Sequence, residues 1–111
     1  MMEKMLKAQI GGYKGLTKTT SWSEALANAK NIIIIGIKAM ETPSFARHAT
    51  IIVQKDQITS SPSYHLGTGG YVNATDCIYS QATCTTTTCS VYYSKSGTQV
   101  TDVSVTGYYY D

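Results

Sequence analysis

Residues 32–37 read Ile-Ile-Ile-Ile-Gly-Ile, and this run limits what the chain can fold into. Four consecutive β-branched side chains crowd the turns of a helix and suit a pleated strand. Neighbouring residues of a strand point to opposite faces, so an unbroken apolar run must be covered on both sides. The run is expected to be the centre of a sheet with packing above and below it. Ala49-Thr50-Ile51-Ile52-Val53 reads as a second buried strand and as its hairpin partner. The connection over 42–48, which includes Pro43, is longer than the tightest hairpin loops.

The strongest helix signal precedes the isoleucines. Ser21 stands three residues before Glu24, the spacing of a capping box. Trp22, Ala25, Leu26 and Ala29 follow at i, i+3, i+4 and i+7, one apolar helix face. This predicts a helix over 21–30, with Lys30 at its negative end and Asn31 as a left-handed cap. Met2, Met5, Leu6 and Ile10 give a short helix over 1–10, ended by Gly11-Gly12.

From residue 56 the texture changes to Ser, Thr, Val and Tyr, which is strand chemistry. Cys84 to Tyr93 reads as one strand, Ser94–Gly97 as a tight turn, and Thr98 to Tyr110 as the returning strand. The inward parity slips between Val100 and the pair Val103 and Val105, which predicts a bulge near Thr101-Asp102. Two halves of about 55 residues would each be marginal alone. The fold class expected is therefore α+β, as a single domain over residues 1–111. One or two amino-terminal helices pack on a mainly antiparallel sheet, and the carboxy-terminal half is β-rich. The order of elements, helix then antiparallel sheet with late cysteines, is similar to the globular head of pilin-like proteins. The apolar amino-terminal helix and processing site that define pilins do not appear in these 111 residues.

Composition excludes several classes. Charged residues make up 14% of the chain, too few for a charged disordered tail or for a bundle of helices with charged outer faces. No stretch approaches the roughly 20 apolar residues that cross a bilayer as a helix, so no membrane span is expected. Residues 1–55 carry eight basic and three acidic side chains, whereas 56–111 carry Lys95 against Asp56, Asp76, Asp102 and Asp111. Opposed halves of this kind can meet head to tail between copies. Nucleic-acid binding wants basic residues interleaved with aromatics, but eight of the nine tyrosines lie in the acidic half, so no nucleic acid is expected.

Cys77, Cys84 and Cys89 are disulfide candidates, and their spacing leaves all three pairings open. It lacks the close C-x2-C pair of a structural zinc site, and no metal or cofactor is expected. No cysteine has the surroundings of a catalytic thiol, and the scattered acids offer no acid–base pair. The residues that could line a ligand pocket between helices and sheet are His48, His65, Gly67 and Gly69. The glycine loop over 67–70 departs from a phosphate cradle, since Tyr71-Val72-Asn73 after it reads as extended. Asn73-Ala74-Thr75 fits the glycosylation triplet, which matters only in an exported eukaryotic chain.

Nine tyrosines are the most unusual feature. Tyr92, Tyr93, Tyr108, Tyr109 and Tyr110 fall on the last two strands, where adjacent tyrosines must face opposite ways. They are the candidate interface of a non-catalytic structural or protein-interaction module, a surface, filament or virion-type subunit whose partner is another protein or itself. The alternative is a small intracellular ligand-binding or enzymatic domain. The compartment follows the same division: exported or at the surface for a processed chain, cytoplasmic otherwise.

Overall fold

A computed structural model describes residues 15–67 and 77–111. In chain order the elements are β1 (Thr17–Thr19), α1 (Trp22–Asn28), β2 (Ile32–Thr42), β3 (Phe45–Gln54), β4 (Ser63–Leu66), β5 (Ile78–Cys84), β6 (Cys89–Lys95), β7 (Thr98–Gln99) and β8 (Val103–Tyr110). They form two four-stranded antiparallel sheets, ordered β1-β8-β2-β3 and β4-β5-β6-β7. The α+β expectation is met in its broad sense, with one helix among the described residues and mostly strand. The strands are not confined to the second half, because β2 and β3 are the longest in the molecule. The helix expected over 1–10 lies outside the described residues.

The isoleucine run sits where its pattern requires, in β2 between β3 and β8. Ile33, Ile35, Ile37 and Ala39 face the other sheet across a shared core, while Ile32 and Ile34 are buried on the opposite face. Ala49, Ile51 and Val53 of β3 and Ile78, Ala82, Cys84 and Tyr93 of the second sheet complete that core. Burying one such aliphatic side chain contributes roughly 1.5–3 kcal/mol, and all five isoleucines of the run are buried. The β2–β3 connection is shorter than expected. Thr42 pairs with Phe45, leaving only Pro43-Ser44 as the loop.

Helix α1 is shorter than 21–30 and its cap is rearranged. Ser21 Oγ accepts from the Glu24 N–H at 3.2 Å, as the spacing predicts. The Glu24 carboxylate instead accepts from the Thr19 hydroxyl at 2.7 Å, and that hydroxyl accepts from the Ser21 N–H at 3.1 Å. Thr19 thus relays the reciprocal half of the box. The chain leaves the helix at Ala29 in an extended conformation, so Asn31 is not a left-handed cap.

Cys84 to Tyr93 is not one strand. Thr85 Oγ1 accepts from the backbone N–H groups of Thr87 and Thr88 at 3.2 and 3.0 Å, folding the threonine run into a hairpin loop. The returning segment is also divided: Thr98-Gln99 pair with β6, and the chain then crosses into the first sheet as β8. The bulge falls at Thr106 rather than Thr101-Asp102, since Gly36 pairs with Gly107 and Ile37 with Val105. Thr106 switches the inward set of β8 from Val103 and Val105 to Tyr108 and Tyr110. It also explains the break in the isoleucine run, because a Cβ at Gly36 would stand 2.7 Å from Thr106 Oγ1.

Candidate functional site

The two faces of the second sheet differ in chemistry because strand alternation sorts them. Ser80, Ala82 and Cys84 of β5, with Tyr93 of β6, point inward and are buried. The outward set is Tyr64 and Leu66 on β4, Tyr79, Gln81 and Thr83 on β5, and Ser90 and Tyr92 on β6. Register places Tyr64 opposite Thr83, Leu66 opposite Gln81, and Gln81 opposite Tyr92. Tyr64 and Leu66 are 68% and 66% exposed, and Tyr79 and Tyr92 are exposed beside them. The Tyr79 and Tyr92 rings meet edge to face at 6.0 Å, and the Tyr79 hydroxyl donates to Gln81 at 2.7 Å. This outward set contains large apolar area and neutral hydrogen-bonding groups but no charge.

The five tyrosines expected at an interface do not share a surface. Tyr92 is exposed, and Tyr109 and Tyr110 are half-buried on β8 of the other sheet. Tyr93 is completely buried, and Tyr108 is buried against Trp22 with ring centroids 5.5 Å apart. Tyr64 and Tyr79 were missed by the sequence reading. The signal was their alternation with inward His65 and Ser80, which becomes readable only once both segments are known to be strands.

His48 and His65, expected to line one ligand pocket, face different ways, the first outward and the second inward. His48 points outward on β3, where a groove of about 390 Å3 is lined by Gly36, Thr106 and Tyr109 among others. His65 points inward on β4 and is buried; that burial lowers its pKa. Its Nε2 is 2.8 Å from Ser63 Oγ, which also donates to the Cys84 carbonyl at 3.3 Å. Gly67 is wedged between the sheets and bonds through its N–H to the Ser80 carbonyl at 2.8 Å. Gly69 and the Asn73 triplet lie outside the described residues.

All three cysteines are free thiols, and register brings two of them together. Cys84 and Cys89 are direct cross-strand partners with sulfurs 3.9 Å apart, whereas Cys77 is exposed at the far end of β5. Seven residues of extended chain place Cys77 about 23 Å from Cys84, beyond any bridge. Cys89 is the more acidic of the pair, because Cys84 donates its S–H to Cys89. The same hydrogen bond and burial push the Cys84 thiol up.

An ionic cluster that the sequence did not reveal closes the other end of the core. The Glu41 side chain is 5% exposed; its Oε2 accepts from Arg47 Nε at 2.7 Å and from the Tyr93 hydroxyl at 2.5 Å. Lys95 Nζ stands 3.3 Å from Oε1. Burial raises the Glu41 pKa, but these partners outweigh it and hold the carboxyl below its ordinary range. The cluster ties β2 and β3 to β6. No group of three or more His, Cys, Asp or Glu side chains able to hold a metal occurs among the described residues.

No described helix is long and apolar enough to cross a membrane. No protein-family model, curated protein or solved structure matches the chain.

Proposed function

We propose that the protein is a non-catalytic interaction module that self-associates through the outer face of its second sheet. The observation that carries this reading is the set Tyr64, Leu66, Tyr79 and Tyr92, all exposed on one uncharged face. Tyrosine is enriched in protein interfaces and supplies large contact area, while charged groups are depleted from their cores. A neutral face suits a second copy, because two identical surfaces meet without like-charge repulsion, and Gln81, Thr83 and Ser90 can both donate and accept hydrogen bonds. Among the described residues β4 is the edge strand of its sheet, the position at which another chain can add.

Sedimentation equilibrium of the full chain, compared with Tyr64→Ser/Tyr79→Ser/Tyr92→Ser, tests the reading. Concentration-dependent dimers that the triple variant loses while keeping its circular dichroism spectrum support it. A wild-type chain that stays monomeric up to its solubility limit overturns it, as does a triple variant that associates unchanged.

A further inference from the structure

We propose that Cys84 and Cys89 form a thiol–disulfide exchange couple, with Cys89 the attacking sulfur and Cys84 the resolving one. The inference stands apart from the self-association reading and rests on hairpin geometry. In an antiparallel ladder, hydrogen-bonded and non-hydrogen-bonded residue pairs alternate, and the second kind brings Cα atoms to about 4.5 Å. The Thr85 N–H bonds to the Thr88 carbonyl at 2.8 Å, so the next pair inward, Cys84 with Cys89, is of the second kind. The Gly67–Ser80 bond agrees, since it turns the even-numbered backbone groups of β5 toward β4 and away from β6. That spacing falls within the roughly 4.4–6.8 Å that a disulfide spans. The sulfurs, at 3.9 Å, need only close on one another.

The two thiols are also unequal in a way that orders the reaction. Cys89 is half-buried and open to a partner; Cys84 is fully buried behind it. The Cys84 S–H donates to Cys89 and favours its thiolate, the reactive form. The oxidant is a disulfide of the glutathione class. The Cys89 thiolate attacks one of its sulfurs, forming a mixed disulfide and expelling one thiolate. Cys84 then loses its proton and attacks Cys89 Sγ, expelling the second thiolate. Two protein thiols are oxidised, and one disulfide is reduced to two thiols. The bond closes a loop of only six residues, so it restricts the unfolded chain little and fits a reversible couple better than a permanent staple.

The test equilibrates the full chain across glutathione buffers of graded redox ratio, quenches by alkylation and maps the modified peptides by mass. The expected result is joint loss of two labelled thiols, a link between Cys84 and Cys89, and Cys77 labelled throughout by the alkylating reagent or by glutathione alone. Cys84→Ala is expected to stop at a glutathione adduct on Cys89. Three labelled thiols in the most oxidising buffer overturn the inference, as does a first link that includes Cys77. A folded Cys84→Ala chain without an adduct on Cys89 overturns it too, and the wild-type map decides the matter even where that variant fails to fold.

Discussion

The Tyr93 hydroxyl donates to Glu41 Oε2 at 2.5 Å, joining an interior strand of one sheet to an interior strand of the other. Both groups are withdrawn from water, Tyr93 completely and Glu41 nearly so. A hydrogen bond to a charged group is worth about 1.5–3 kcal/mol, and removing one partner leaves the other to bear its desolvation. Tyr93→Phe is therefore expected to lower the unfolding free energy by about 2 kcal/mol. Urea denaturation monitored by circular dichroism reads the change as a lower midpoint with an unaltered slope. A shift within error of zero would mean that Arg47 and Lys95 alone satisfy the carboxylate.

The acid limb of stability should trace to two carboxyls. Burial pushes the Asp111 carboxyl up, but the N–H groups of Lys30, Asn31 and Ile32 and the Asn31 amide outweigh it and hold the pKa below its ordinary value. Glu41 is lowered in the same sense. A carboxyl depressed in the folded state contributes stability that is complete above its unfolded pKa, about 4, and is lost as pH falls through the folded value. Stability is thus expected to decline first below about pH 6.5, where the buried His65 resists the proton that the unfolded chain takes up, and to fall again below about pH 4. Glu41→Gln and Asp111→Asn should each flatten that fall while lowering the plateau. Melting temperatures measured from neutral to acid pH check this, and an acid slope unchanged in both variants rules out these carboxyls as its source.

How far the sequence could be read followed from the range of the interactions involved. The isoleucine run needed only β-branching and alternation, and the Ser21 cap only a spacing of three, so both were legible. The division of Cys84–Tyr93 was hidden because threonine has high strand propensity and equally bonds its own backbone in turns; the Thr85 hydroxyl takes the second course. The parity of β8 was misplaced because Thr106 bulges against Gly36, a residue seventy positions earlier. Glu41, Arg47, Tyr93 and Lys95 had no sequence signature, since their meeting depends on two sheets stacking. The exposed Tyr64 and Tyr79 stayed unread for a related reason: which face of a strand is outward depends on where the core is.

Gly67 is expected to be the least replaceable glycine among the described residues. A Cβ there would lie 2.0 Å from Ser80 Oγ, 2.8 Å from Ile51 Cγ1 and 3.0 Å from the Thr50 carbonyl oxygen. The last two belong to the opposite sheet, so a methyl group would have to push the sheets apart. Overpacking of this kind costs about 1–3 kcal/mol or more. Gly67→Ala should destabilise by at least about 2 kcal/mol, and adding Ser80→Ala should recover only part of the loss. Full recovery in the double variant would show that the strain is confined to the serine and does not reach the first sheet.

Trp22 offers the last test, because it spans the helix and the threonine hairpin. Its Nε1–H donates to the Thr85 carbonyl at 2.9 Å, and its ring packs on Tyr108. Replacement by phenylalanine keeps much of the apolar contact but leaves that carbonyl without its donor, at a cost of about 1–2 kcal/mol. The effect should be local as well as global, because Thr85 opens the loop that holds Cys84 opposite Cys89. Amide exchange at Thr87 and Thr88 is expected to quicken in Trp22→Phe, with the β2–β3 amides changed only by the drop in global stability. Equal acceleration across both sheets would instead show that Trp22 acts only through the common core.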